Sequence, residues 1–246
     1  MRTRPFTDAL AMTEPTRLSK RLAEMLPCSR REAELYIEGG WVTVDGVPVE
    51  EAHHRVTDEA IVLLPGALPE SLPQQTLLLN KPADLDIDAV LESLGAETQW
   101  DEDRSGLRVL RKYLARQQLC VPLERDASGL LVLTQQPGVL RRLVDDAERL
   151  EHEYLVDVEG SLDDAGLKRL SQGAGVTSRT LPLKASWQSE QRLRLAGKQF
   201  RPGQVRALCQ AVGLRVLSIR RLRLGGVTMG KLPLGQWRFL LPGERF

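Results

Sequence analysis

The chain has 246 residues, 42% of them hydrophobic and 27% charged, with a formal net charge of +1. That balance describes one or two folded domains, and no apolar run approaches the roughly 20 residues that a membrane-spanning helix needs. Three widely spaced cysteines, Cys28, Cys120 and Cys209, exclude a disulfide framework and read as reduced, buried thiols of a cytoplasmic protein.

Residues 1–16 carry Arg2 and Arg4 but no apolar core. They are expected to form a disordered tail rather than a secretory leader, with Met12 as a second start. From residue 17 the pattern becomes regular. Leu18, Leu22 and Leu26 repeat at helical spacing, and Pro27 ends the helix. Ser29-Arg30-Arg31-Glu32 is a capping box that starts a second helix, whose apolar side is Ala33, Tyr36 and Ile37. Gly39-Gly40 closes that helix. Trp41 to Val44 reads as a strand, Asp45-Gly46 as a tight hairpin turn, and Val47 to Val49 as the return. Val62 to Leu64 adds a further strand. His53 and His54 have no partner at ligand spacing and read as a solvated turn, so no metal site is expected.

This succession resembles the alpha-L RNA-binding module over residues 17–64. The resemblance implies that Lys20, Arg21, Arg30 and Arg31, clustered near the helix starts, meet phosphates. An arginine fork matches phosphate oxygens, and a helix N-terminus adds its own N–H groups.

Pro65-Gly66, Pro69 and Pro73 mark residues 65–76 as a proline-stiffened linker. The body, residues 77–246, opens with a buried strand through Leu77, Leu78 and Leu79 that ends at Asn80-Lys81-Pro82. The segment from Asp84 to Asp103 holds eight acidic residues and no basic one. It has a weak helical pattern (Ile87, Val90, Leu91, Leu94), and an Arg108-Lys112-Arg116 face is expected on a second helix. Leu130 to Thr134 reads as a buried strand, and Val139 to Val144 as a helix. Glu151 to Val158 alternates like a strand. Asp163 to Leu170 reads as a helix, residues 183–195 as two strands around Trp187, Gly203 to Leu208 as a helix, and Val216 to Leu224 as another alternating strand. From Gln191 to Phe246 there are twelve Lys or Arg against the single Glu244, which suggests a basic face for a polyanion.

The stretch Leu123-Glu124-Arg125-Asp126-Ala127-Ser128-Gly129-Leu130 places carboxylates just before a buried strand. It resembles the Arg-Leu-Asp-x-x-(Thr/Ser)-x-Gly-Leu signature of RNA pseudouridine synthases. In register with Gly129, Glu124 stands at the Asp and Pro122 at the Arg. Further likenesses are Asn80-Lys81-Pro82, with Asp84 where Gly is usual, Tyr154 and Val156 of a Lys-x-Tyr-x-Val element in which His152 replaces Lys, and Gln204-Val205-Arg206. Gly230 to Arg238 matches the closing segment. The likeness spans most of residues 17–241.

The resemblance implies an α+β protein in which a small alpha-L module precedes a catalytic domain of mainly antiparallel mixed sheet. It implies isomerisation of a uridine to pseudouridine in structured RNA, ribosomal first and transfer RNA second, by a cytoplasmic monomer without cofactor. Carried over by position, Glu124 is the carboxylate acting at the sugar, Tyr154 the ring that stacks on uracil, and Arg206 the charge partner. Asp126 is the alternative carboxylate, on the same side as Glu124 if the segment is extended. Lys81, Arg201 and Gln204 join the RNA contacts. Glutamate is one methylene longer than aspartate, which moves its oxygens by on the order of 1 Å. A second reading therefore stays open: a relative without catalysis that binds RNA or assists ribosome assembly.

Overall fold

A computed structural model describes residues 14–176 and 183–246. The chain divides into two compact units. One runs to Pro73 and takes in Leu110–Lys112, and the other holds the remainder. The tail expected over residues 1–16 lies outside the described residues up to residue 13, while Thr16 belongs to a strand.

The first unit contains β1 (Thr16–Arg17), α1 (Leu18–Met25), α2 (Arg30–Glu38), β2 (Val42–Val44), β3 (Val47–Pro48), β4 (Arg55–Val56) and β5 (Ile61–Leu63). Local chemistry sets most of it. Ser29 Oγ accepts the Glu32 N–H at 3.2 Å, and Glu32 Oε2 accepts the Ser29 N–H at 2.7 Å, so the capping box forms in both directions. Those bonds hold the Glu32 carboxyl below the usual carboxylate range. Asp45 and Gly46 have φ of 49° and 79°, the doubly left-handed pair that a two-residue hairpin loop needs. Leu18 and Leu22 on α1 and Ala33 and Ile37 on α2 are i, i+4 pairs, and all four are buried in one core with Val42 and Val56.

The second unit contains β6 (Thr76–Lys81), α3 (Ile87–Glu92), β7 (Gln118–Cys120), β8 (Ser128–Thr134), α5 (Pro137–Val144), β9 (Glu151–Glu159), α6 (Asp164–Ser171), β10 (Lys184–Ser189), β11 (Arg192–Lys198), α7 (Gln204–Ala211), β12 (Arg215–Leu224), β13 (Val227–Thr228) and β14 (Trp237–Phe239), and the one-turn α4 (Arg111–Leu114) is divided between the two units. Nine strands form one sheet in the order β10-β11-β9-β12-β8-β6-β14, with β13 beside β12 and β7 beside β8. The β8–β12 pair is parallel and the other pairs are antiparallel, so the sheet is mixed and mainly antiparallel, and the architecture is α+β. One core gathers Tyr154, Val156, Leu193, Leu195 and Leu208, and another gathers Leu78, Leu130, Val132, Leu143 and Leu224. The basic helical face expected across Arg108, Lys112 and Arg116 does not form. The helix there is only four residues long, and Arg116 has a φ of +54°, which no helix continues. Among the described residues no helix is long and apolar enough to cross a membrane.

Candidate active site

The site is built where β8 meets β12. The two strands run parallel, with Ser128 opposite Arg220 and Gly129 opposite Arg221. Gly129 has φ of +103°, and a Cβ there would lie 2.2 Å from the Arg221 carbonyl oxygen. Glycine alone fits this crossing, and the close approach brings the Arg221 side chain under the loop that precedes β8.

Arg221 is fully buried. Its Nε donates to the Leu130 carbonyl at 2.8 Å and its Nη2 to the Val121 carbonyl at 2.7 Å, with the Pro122 carbonyl at 3.5 Å from Nη1. It also bonds the Tyr154 hydroxyl, which partly offsets the burial that pulls its pKa down. Among the described residues it has no carboxylate partner. Lys81 is fully buried as well and supports the same loop from the other strand. Its Nζ donates to the carbonyls of Pro82, Arg125 and Ala127 at 2.8, 2.9 and 3.0 Å, and burial pushes its ammonium down from the usual lysine value. These two cations satisfy loop carbonyls that would otherwise be buried without donors.

The loop so held is a turn, not an extended segment. Val121 has φ of +50°, and the Ala127 N–H donates to the Glu124 carbonyl at 3.1 Å. Glu124 and Asp126 therefore do not share one face as an extended chain would place them. Both reach the N-terminal turn of α7, at different atoms. Glu124 Oε1 accepts the N–H of Gly203, the residue before α7, at 2.5 Å. Asp126 pairs with the guanidinium of Arg206. Carboxylates at that helix end are favoured by its unpaired N–H groups.

Above the buried arginine lies a pocket of about 130 Å³ lined by Glu124, His152, Tyr154, Phe200, Arg201 and Arg221, among others. The Tyr154 ring meets Phe200 edge-on, with centroids 5.2 Å apart and planes at 72°. His152 Nδ1 lies 3.3 Å from the Tyr154 hydroxyl. Burial, and next the charge of Arg221, push the His152 pKa down to about 3, so its imidazole is neutral at physiological pH.

The S4 domain family matches residues 16–62, where the alpha-L module is expected. Across 233 residues the chain is 27% identical to the dual-specificity RNA pseudouridine synthase RluF of Salmonella typhi, covering 93% of this chain and 77% of that one. An uncharacterized RNA pseudouridine synthase of Aquifex aeolicus is 28% identical over 234 residues, covering 93% of this chain and 94% of that protein. A crystal structure of a pseudouridylate synthase superposes with a TM-score of 0.56 at 20% identity, covering 92% of this chain and 96% of that one. The chain is an S4 domain followed by a pseudouridine synthase fold, homologous to the RluF-type RNA pseudouridine synthases.

Within this pseudouridine synthase fold, Glu124, Tyr154 and Arg201 converge on the pocket. Two expectations need correction. Arg206 is bound to Asp126 rather than to Glu124, because the turn at residues 124–127 sends the two carboxylates to different atoms of α7. Lys81 cannot meet phosphate from its buried position, since its three hydrogen-bonding directions end on carbonyls. The Gln204 amide oxygen accepts the Arg201 N–H at 2.9 Å, so one end of that side chain ties down the turn before α7. Lys20, Arg30 and Arg31 are exposed in the S4 domain, and Arg21 is half-buried. Arg221, His152 and Phe200 were missed as pocket walls. For Arg221 a signal existed: it stands in phase with Ile219 on an alternating strand, and Ile219 is an inward position.

Proposed function

We propose that the protein is an RNA pseudouridine synthase, a monomer of the cytoplasm, acting on a uridine in structured RNA, with ribosomal RNA the first candidate. The observation that carries this reading is the meeting of a carboxylate (Glu124), an aromatic ring (Tyr154) and a buried cation (Arg221) in one pocket of this fold. The reaction breaks the bond from the sugar to the base nitrogen, turns the uracil and rejoins it through carbon, so atoms balance without a cofactor. The uridine must leave its stack to reach the pocket, as in base flipping. A ring such as Tyr154 contributes about 1–3 kcal/mol by stacking on the displaced base. Glu124 Oε1 is held by the Gly203 N–H, and Oε2 is the atom assigned to the sugar. Arg221 acts as a positioning residue, fixing the loop that carries Glu124 through the Val121 and Leu130 carbonyls. Lys20, Arg21, Arg30 and Arg31 of the S4 domain, with Arg201 near the pocket, are assigned to phosphates, so binding weakens steeply with salt.

One observation favours a second reading. The Glu124 carboxylate already caps α7 through Gly203, which suits a structural role in an RNA-binding protein without catalysis. Ribosomal RNA from cells lacking the gene separates the two. Wild type is expected to form new pseudouridine, Glu124→Ala to form none, and Asp126→Ala to retain activity. No new pseudouridine from wild type leaves the binding reading.

A further inference from the structure

A second cavity, of about 480 Å³, opens beside the active-site pocket. The two share Val121, Pro122, His152, Phe200 and Arg201 as a common wall. The far side of the larger cavity is apolar, formed by Leu119, Leu143 and Val144, and Gln199 and Glu148 supply its polar groups. Its volume lies in the range of roughly 300–1,000 Å³ typical of sites that enclose small organic ligands. The pocket holding Glu124 and Tyr154 is several-fold smaller, at about 130 Å³.

Four observations give the larger cavity a chemistry. Its aromatic wall is continuous with that of the smaller pocket: Phe200 lies 6.0 Å from His152 and 5.2 Å from Tyr154 by ring centroids. Gln199 has φ of +59°, a left-handed conformation that a non-glycine residue holds at some cost and that clusters at binding sites. Among the described residues neither the Gln199 amide nor the Glu148 carboxylate has a hydrogen-bond partner, so both remain available at the cavity. Arg201 is exposed in the common wall and carries no ion pair among the described residues.

We infer that this cavity receives an unpaired adenine next to the target uridine in the same RNA strand. The inference rests on the proposed function, because it takes the smaller pocket as the seat of the target base. A strand with one base in that pocket must carry its neighbour past the common wall, where Arg201 faces the connecting phosphate. Phe200, half-buried in front of the His152 ring, offers a stacking surface on the way in. A glutamine amide pairs with the N6 and N7 edge of adenine, and a carboxylate accepts from an exocyclic amine but opposes the O6 of guanine. A carboxylate accepts from the N4 amine of cytosine as well, so Glu148 disfavours guanine and it is the bidentate Gln199 contact that favours adenine.

The test uses a pool of RNA hairpins whose loops hold one fixed uridine with randomised neighbours, sorted by retention on the full-length protein. Adenine is expected to be enriched about tenfold at one position beside the uridine, the scale of a good bidentate base contact. Val144→Trp places a large ring at the cavity from a residue that is 51% exposed, so the fold tolerates it, and it should abolish the enrichment. Gln199→Leu should reduce it. Absence of retention, retention without a skew at either neighbour, or a skew that Val144→Trp leaves intact overturns the assignment. Retention does not require chemistry, so the two readings fail separately. Adenine enrichment without pseudouridine would sink the isomerase and keep the cavity, and pseudouridine without the skew would do the reverse.

Discussion

The two units hold their positive charge in opposite ways. In the S4 unit, Lys20 and Arg31 lie on exposed helix surfaces, and their nearest carboxylates are neighbours on the same helix, Glu24 at 3.9 Å and Glu34 at 3.4 Å. Such exposed pairs contribute about 0–1 kcal/mol and leave the cation free for another partner. In the second unit, Lys81 and Arg221 are fully buried, and their donors end on carbonyls of the loop at residues 121–127 and its flanks. There the cation is committed to architecture. The same residue types serve as contacts available to a partner where they are exposed, as Arg201 is in the second unit too, and as the supports of a loop where they are buried.

The sharpest way to break this contrast is at the crossing that buries Arg221. Gly129→Ala puts a Cβ where the Arg221 carbonyl already stands, at 2.2 Å, and at a φ of +103° that an L side chain rarely adopts. Both strains act together, so a loss above about 4 kcal/mol is expected, a large fraction of the roughly 5–15 kcal/mol that holds an ordinary domain folded. Urea unfolding measures it, and a stable, folded Gly129→Ala protein would mean that β8 and β12 do not approach as described. Next in size is a paired comparison. Arg221→Met leaves the Val121 and Leu130 carbonyls without their donors, at about 1–3 kcal/mol for each buried group. Arg30→Met, on the exposed start of α2, should stay within about 0.5 kcal/mol. Equal losses in the two variants would erase the distinction between the units.

The same distinction explains what the sequence revealed. The S4 unit was legible because short-range rules build it: a capping box four residues long, a two-residue turn, and leucines spaced by four. In the second unit the strands β6, β8, β9 and β12 were legible from their apolar runs and alternation, and Glu124 and Tyr154 from their place in motifs. The partner of each carboxylate was not. Glu124 meets Gly203 and Asp126 meets Arg206 across about 80 positions of chain, and the choice between them depends on a turn at residues 124–127 that an extended reading gets wrong. Lys81 looked like a phosphate contact from its place in the Asn80-Lys81-Pro82 likeness, yet all six residues of β6 are buried. The short strand β14 escaped notice because Trp237–Phe239 gives only three residues of pattern, and its position is fixed by pairing with Leu77 to Leu79.

A smaller effect probes the pocket itself through pH. His152 is buried between Tyr154, Phe200 and the charge of Arg221, with a pKa near 3 against an ordinary value of 6.5. Above pH 6.5 neither the folded nor the unfolded chain holds the proton. Below it the unfolded chain takes up a proton that the native imidazole refuses, so stability falls as pH drops from 6.5 towards 3. The slope approaches about 1.4 kcal/mol per pH unit. The carboxyls of Glu151, Glu153 and Asp157 are held below their usual values by arginines, and their contribution is lost only as pH falls below the ordinary carboxylate range. Unfolding measured between pH 6.5 and 5 therefore isolates the histidine. His152→Gln should flatten that interval while leaving the steeper loss below pH 4.5 in place. If the wild-type curve is already flat from pH 6.5 to 5, the imidazole is hydrated in the native protein, where the structure buries it behind Phe200 and Tyr154.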